Sequence, residues 1–332
     1  MTDTITQEVV ESRGLAGRLK GGGSWGGFFM RNGMVWILIL LVILASTLYS
    51  GFFSFNNITN LIMQVAPTGI VAVGMTYAII SGQFDLSASA VFAGASVVYA
   101  TLSNSMPLPL AFLITLVVGV LAGVVNGLVV TKLKVNTFIA TLATASLFAG
   151  LTYLYSAARP IVSTAPDFRA LGGGKTFGVW NSIWVLVILV IILGVVLART
   201  PYGRSVYAVG GNLEAARLAG MRVDLVRIST FCMTGGAAAV AGMIVASQTG
   251  VGQANIGATV TLDAIAIVII GGTSLLGGEG AMWRTVIGIL IWGTISNVFA
   301  SLALDTSTQL LIQGAILLIA VAVDSLARSR RA

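Results

Sequence analysis

Ten apolar stretches follow one another along this 332-residue chain, most of them long enough to cross a bilayer core as a helix. They run at about 34–53, 58–80, 86–103, 108–131, 136–156, 180–198, 228–250, 262–276, 281–303 and 308–325. Only 9% of the residues are charged, 57% are hydrophobic and the mean hydropathy is +0.98. A soluble chain carries about a quarter charged residues. The expected fold is therefore all-α, a polytopic integral membrane bundle of about ten transmembrane helices. The eighth stretch is short and ends in Gly277-Gly278-Glu279-Gly280, which predicts a broken or re-entrant helix shielded by its neighbours. Bundled spans form one body, so the expected organisation is a tail with a glycine-rich joint (1–33), a transmembrane domain (34–325) and a basic tail (326–332).

The net charge of +7 sits in short connectors beside the apolar runs, which is the positive-inside pattern and not a nucleic-acid patch. Ten spans with the N-terminus inside place Arg13, Arg18, Lys20, Arg31, Lys132, Lys134, Arg199, Arg204, Arg217, Arg222, Arg227, Arg284, Arg328, Arg330 and Arg331 in the cytoplasm. Arg159, Arg169 and Lys175 remain outside, a split of 15 to 3. An odd number of spans would strand either the 199–227 loop or the C-terminal bases on the wrong side. The charged N-terminus, with Asp3, Glu8 and Glu11 before any apolar run, reads as a cytoplasmic tail and not as a signal peptide. Cys232 is the single cysteine and there is no histidine, which disfavours disulfides, metal sites and general-base chemistry.

Small residues recur where helices must approach: Gly119, Gly123 and Gly127, then Ser146 with Gly150, then Ala238 with Gly242. Their spacing of four predicts close packing and nothing chemical. Two glycine motifs lack the context that nucleotide binding requires. Gly21-Gly22-Gly23-Ser24-Trp25-Gly26 follows no strand and reads as a flexible joint. Gly174-Lys175-Thr176 has Arg169 where a phosphate loop needs its first glycine, and the topology puts it outside. The chain is expected neither to bind ATP nor to need a cofactor.

The longest internal connector, 199–227, carries a short helix. Asn212 is a good N-cap, Glu214 falls in the first turn and Gly220 suits a left-handed helix end. The helix, Leu213–Ala219 with Ala215, Ala216 and Arg217 inside it, is too short to stand alone and needs a surface to rest on. An amphipathic helix lying on the membrane and a helix docked on a partner both fit.

Four ordered blocks narrow this. Val206-Tyr207-Ala208-Val209-Gly210-Gly211-Asn212 through Gly220 resembles the coupling loop of the ribose-type ABC sugar permeases. Gly82-Gln83-Phe84-Asp85-Leu86-Ser87 resembles that family's Gly-Gly-Ile-Asp-Leu-Ser, and Phe138-Ile139-Ala140-Thr141-Leu142 matches its equivalent. Leu262-Asp263-Ala264-Ile265-Ala266, Gly271-Gly272-Thr273-Ser274-Leu275 and Gly277–Gly280 match its glycine-rich signature. The chain departs from the family at Thr261 (often Glu), Ala88-Ser89 (usually Val-Gly), Thr137 (proline) and Arg284 (a small residue).

The resemblance implies a permease of the bacterial inner membrane, not an enzyme. Its implied partners are a cytoplasmic ATPase that docks on the 213–219 helix, a periplasmic sugar-binding protein and a second permease copy, identical or homologous. A neutral sugar needs hydrogen-bonding side chains along its path, and Gln64, Asn126, Thr144, Ser146, Asn297 and Gln313 are candidates. Interhelical hydrogen bonds are the plainer role for each. Asp85 and Asp263, near span ends on the internal side, are expected to cap helices. A branched-chain amino-acid permease is a related alternative. An ion-coupled transporter would need a mid-membrane acid or histidine, and an intramembrane enzyme a paired nucleophile and base.

Overall fold

The computed structural model describes residues 33–329. The tail with its glycine joint, and Arg330 and Arg331, lie outside the described residues. The helices in order are α1 (Gly33–Leu48), α2 (Phe55–Ile80), α3 (Ala88–Ser103), α4 (Leu108–Lys132), α5 (Thr137–Ser156), α6 (Ala170–Gly173), α7 (Asn181–Arg199), α8 (Pro201–Gly211), α9 (Leu213–Leu218), α10 (Val223–Thr249), α11 (Val260–Ile270), α12 (Met282–Ser301) and α13 (Thr306–Ser329). Four two-residue strands, β1 (Ile161–Val162), β2 (Lys175–Thr176), β3 (Val179–Trp180) and β4 (Val251–Gly252), decorate one end. The all-α bundle is as expected. Six helices, α2, α4, α5, α7, α10 and α12, are long and apolar enough to cross a membrane, and α1, α3, α11 and Thr306–Ile319 of α13 are shorter apolar helices.

Helices α2 and α10 form the centre. Their residues are small or branched and buried on nearly every face, including Val71, Ala72, Val73, Ala238, Ala241 and Ile244. By contrast α4, α5 and α7 turn Leu121, Leu147 and Ile191 outward, as helices do where one face meets lipid. The glycine stripe of α4 lies along α10. A side chain at Gly123 would run into the Phe231 carbonyl and the Cys232 backbone, and one at Gly127 into Ile228. Gly242 likewise abuts the Phe92 carbonyl of α3. The pair Ser146 and Gly150 behaves differently from expectation. Ser146 is exposed and nothing lies within 4 Å of a side chain placed at Gly150, because α5 turns this face away from the bundle.

The connectors gather at two opposite ends. At the strand end β1 pairs antiparallel with β4, Ser103 Oγ lies 2.7 Å from Ser163 Oγ, and Trp180 Nε1 donates to Asn60 Oδ1 at 3.1 Å. At the other, the loop end, Lys132 pairs with Asp224 at 2.8 Å, Tyr207 donates to the Gly280 carbonyl at 2.8 Å and Gly278 N donates to the Ile80 carbonyl at 2.8 Å. Gly278 reaches that carbonyl with φ of 74°, a conformation other residues resist. Connectors thus sort by end as an alternating membrane path requires. Gly174-Lys175-Thr176 belongs to the β2–β3 hairpin at the strand end, where Lys175 Nζ sits 4.1 Å above the Trp180 ring.

Candidate coupling and translocation sites

The loop-end connector holds two helices where the sequence suggested one. Thr200 accepts from Gly203 N at 3.2 Å and Pro201 takes the first helical position, so α8 starts there. The Thr200-Pro201 pair was the available signal. Asn212 then caps α9 by accepting from Ala215 N at 2.9 Å. The helix is one residue shorter than expected, ending at Leu218 with Ala219 as its cap, and Gly220 follows at φ 78°. Ala216 packs inward, while Glu214 and Arg217 pair loosely at 3.5 Å in solvent. Leu218, which the sequence reading passed over, stands 87% exposed at the tip.

Two of the shorter apolar helices, α3 and α11, begin inside the bundle. After α2 the chain turns at Gly82 and runs back through the non-helical residues 83–87 before α3 begins. Gln83 accepts from Thr137 and from Arg227, both at 3.0 Å, near the loop end. Asp85 then meets Asn126, six residues or about 9 Å of helix rise inside α4. From the strand end a second non-helical segment, with turns at 254–255 and 258–259, descends along α3. Gln253 N donates to Ser96 Oγ at 3.2 Å, Gly257 abuts the Phe92 ring, and Thr261 reaches Ser89. Ser103 to Ser89 is 14 residues of α3, about 21 Å. The starts of α3 and α11 therefore meet deep in the bundle, where Ser89 N and Oγ each donate to Thr261 Oγ1 at 2.8 Å and Thr261 N donates to Ser89 Oγ at 2.9 Å. Helix α11 covers Val260–Ile270 of the expected eighth stretch, which is short as expected and is followed by the glycine-rich turns. The non-helical segments before α3 and before α11 were not expected. Both partners of the clasp were visible as departures from the family pattern, and they touch.

Beside the clasp lies a buried polar network. Asp85 Oδ1 accepts from Ser87 N at 2.9 Å, Ser87 Oγ at 2.6 Å and Asn126 Nδ2 at 3.2 Å. Thr144 Oγ1 donates to Asn126 Oδ1 at 2.6 Å. All four side chains are buried, so non-helical backbone is held at depth by side chains from α4 and α5. Asp85 Oδ2 finds no partner among the described residues.

The other predicted residues scatter. Asp263 does not sit at an internal span end. It lies in the first turn of α11, which the chain enters from the strand end, about 10 Å of helix rise above Ile270, and accepts from Thr259 Oγ1 at 2.9 Å. Asn297 and Asn57 exchange hydrogen bonds at 2.9 and 3.3 Å toward the strand end, the plainer interhelical role. Ser146 bonds only its own helix, to Leu142. Gln64 is exposed on α2 and Gln313 half-buried on α13. Thr273 is buried beneath the glycine-rich turn, which Ser274 N closes by donating to the Glu279 carbonyl at 3.1 Å. Among the described residues no three Cys, Asp or Glu side chains gather as a metal site would require.

Residues 57–321 match the family described as branched-chain amino acid transport system / permease component. The chain is 37% identical to the ribose import permease protein RbsC of Haemophilus influenzae, over 87% of this chain and 91% of that one. It is 40% identical to the ribose import permease protein RbsC of Bacillus subtilis, over 86% and 90%. It is 38% identical to the L-arabinose transport system permease protein AraH of Escherichia coli, over 93% and 94%. No solved structure matches. A bundle of apolar helices with full-length similarity to these transporters leaves one assignment: the chain belongs to this permease family, alongside the ribose and L-arabinose permeases.

Proposed function

We propose that this chain is the membrane-spanning subunit of an ATP-driven ABC importer for a monosaccharide. The carrying observation is its similarity to ribose and L-arabinose permeases over most of its length. On this reading the chain makes ten passes of a bacterial inner membrane, residues 34–325 form the permease domain, and both termini are cytoplasmic. A periplasmic sugar-binding protein delivers the solute at the strand end. A cytoplasmic ATPase hydrolyses ATP and pushes on Leu213–Leu218 at the loop end, and a second permease copy, identical or homologous, completes the path. The exposed Leu218 beside Glu214 and Arg217 supports a protein groove as the resting place of α9, since an apolar side chain gains about 1.5–3 kcal/mol when it leaves water.

The family description favours one second reading, a branched-chain amino acid as solute. Uptake of labelled ribose, L-arabinose and leucine by cells expressing the chain with its ATPase and binding protein separates them. Sugar uptake without leucine uptake is expected, and the reverse overturns the sugar assignment. Gly220→Val, Glu214→Lys and Leu218→Asp should reach the membrane at normal levels yet lower both uptake and recovery of the ATPase on purification. Wild-type values for both in all three variants would remove α9 from the coupling path.

A further inference from the structure

We infer that Asn255, Thr259 and Asp263 form the water-facing strip along which the solute passes, with Asp263 accepting hydrogen bonds from the hydroxyls of a neutral polyol or sugar. This deepens the importer reading and rests on it. The first support is depth. The segment that carries Asn255 and Thr259 descends along α3 from Ser96 past Phe92 to Ser89, so all three residues lie between the two ends of the bundle. The second is exposure. Asn255 and Thr259 are exposed and Asp263 is half-buried, on a stretch that also exposes Ala258 and Leu262, while the residues of α11 from Ala264 to Ile269 are buried.

Chemistry decides what covers them. A carboxylate facing lipid is costly, and such groups turn instead to a bundle interior or a water-filled cavity. Burial against another protein surface would need further hydrogen-bond donors or a cation, and among the described residues no Lys or Arg pairs with Asp263. One Asp263 oxygen takes the Thr259 hydroxyl, which orients the carboxylate and leaves acceptor capacity free. A carboxylate with spare lone pairs suits a solute made of hydroxyls. Ser89 and Thr261, whose clasp lies between Thr259 and Asp263 in the chain, act as positioning residues, and they are two of the places where this chain differs from the family pattern.

Cysteine accessibility tests this in the assembled transporter. In a Cys232→Ala background, Asn255→Cys and Thr259→Cys should react with a charged, membrane-impermeant methanethiosulfonate, because only a hydrated thiol forms the reactive thiolate. Modification should then abolish uptake, while Leu151→Cys on the outward face of α5 should stay unlabelled. Silence at both 255 and 259, or labelling that leaves uptake unchanged, would overturn the strip. Labelling reports water access whatever the solute is, so it fails or succeeds separately from the importer reading, which rests on uptake by the unmodified chain. Asp263→Asn keeps an acceptor for Thr259 and the fold. It should raise the apparent KM for the solute about tenfold or more, the loss of a charge-assisted hydrogen bond, with Asp263→Glu recovering part of it. An unchanged KM in Asp263→Asn would remove Asp263 from the strip.

Discussion

The α4–α10 seam and the α3–α11 seam join neighbouring parts of one bundle by opposite means. Along α4, Gly119, Gly123 and Gly127 bring backbone against backbone, with no room for a methyl group and nothing that can exchange partners. Between α3 and α11 the contact is four hydroxyl and amide groups on Ser89 and Thr261, flanked by non-helical chain. Dry contacts between glycine-lined helices have one good geometry. Hydroxyl pairs can trade one another for water or for a solute at small cost. The glycine seam is built to hold the frame, and the hydroxyl clasp is the seam suited to open.

The frame gives the largest expected effect. Gly123→Leu must displace the Phe231 backbone, and overpacking of this kind costs about 1–3 kcal/mol or more. Thermal unfolding followed by size-exclusion recovery should show a clear loss of folded protein. Gly150→Ala, in open space on α5, should match or exceed the parent. Equal behaviour of the two variants would show that the α4–α10 seam is not the rigid one.

The polar seam should respond in degrees. Asp85→Ala takes the acceptor from the Ser87 amide and hydroxyl, at about 1–3 kcal/mol for each group left unpaired, while Asn126 Nδ2 keeps its 2.7 Å bond to Ser87 Oγ. Asp85→Asn retains one carbonyl oxygen and is expected to unfold between the parent and the alanine variant. If alanine is tolerated as well as asparagine, the network does not hold the segment before α3. The smallest effect belongs to the exposed Lys132–Asp224 pair, where Lys132→Ala should cost about 0–1 kcal/mol and the difference should shrink with added salt.

What the sequence disclosed follows from the same physics. Apolar length and basic connectors made the all-α bundle legible, because a membrane leaves a chain few other choices. Gly119, Gly123 and Gly127 announced their seam by spacing alone, and Asn212 and Gly220 announced the ends of α9. Ser146 and Gly150 share the spacing without the contact, since periodicity says which residues share a face and not what the face meets. The non-helical stretch before α3 was hidden because Leu86 opens the third apolar run, while the chain at 83–87 is not yet helical and is held by Asn126 from another helix. Depth was the harder quantity. Asp263 reads as a span-end acid until the descent of 253–259 along α3 is seen.

Sidedness bears most directly on the central claim, because an ATPase can reach α9 only from the cytoplasm. Reporter fusions after residue 165, in the strand-end connector, and after residue 215, within α9, measure it. The account predicts an external signal at 165 and a cytoplasmic one at 215. An external signal at 215 would put the coupling helix across the membrane from any ATPase and contradict the account.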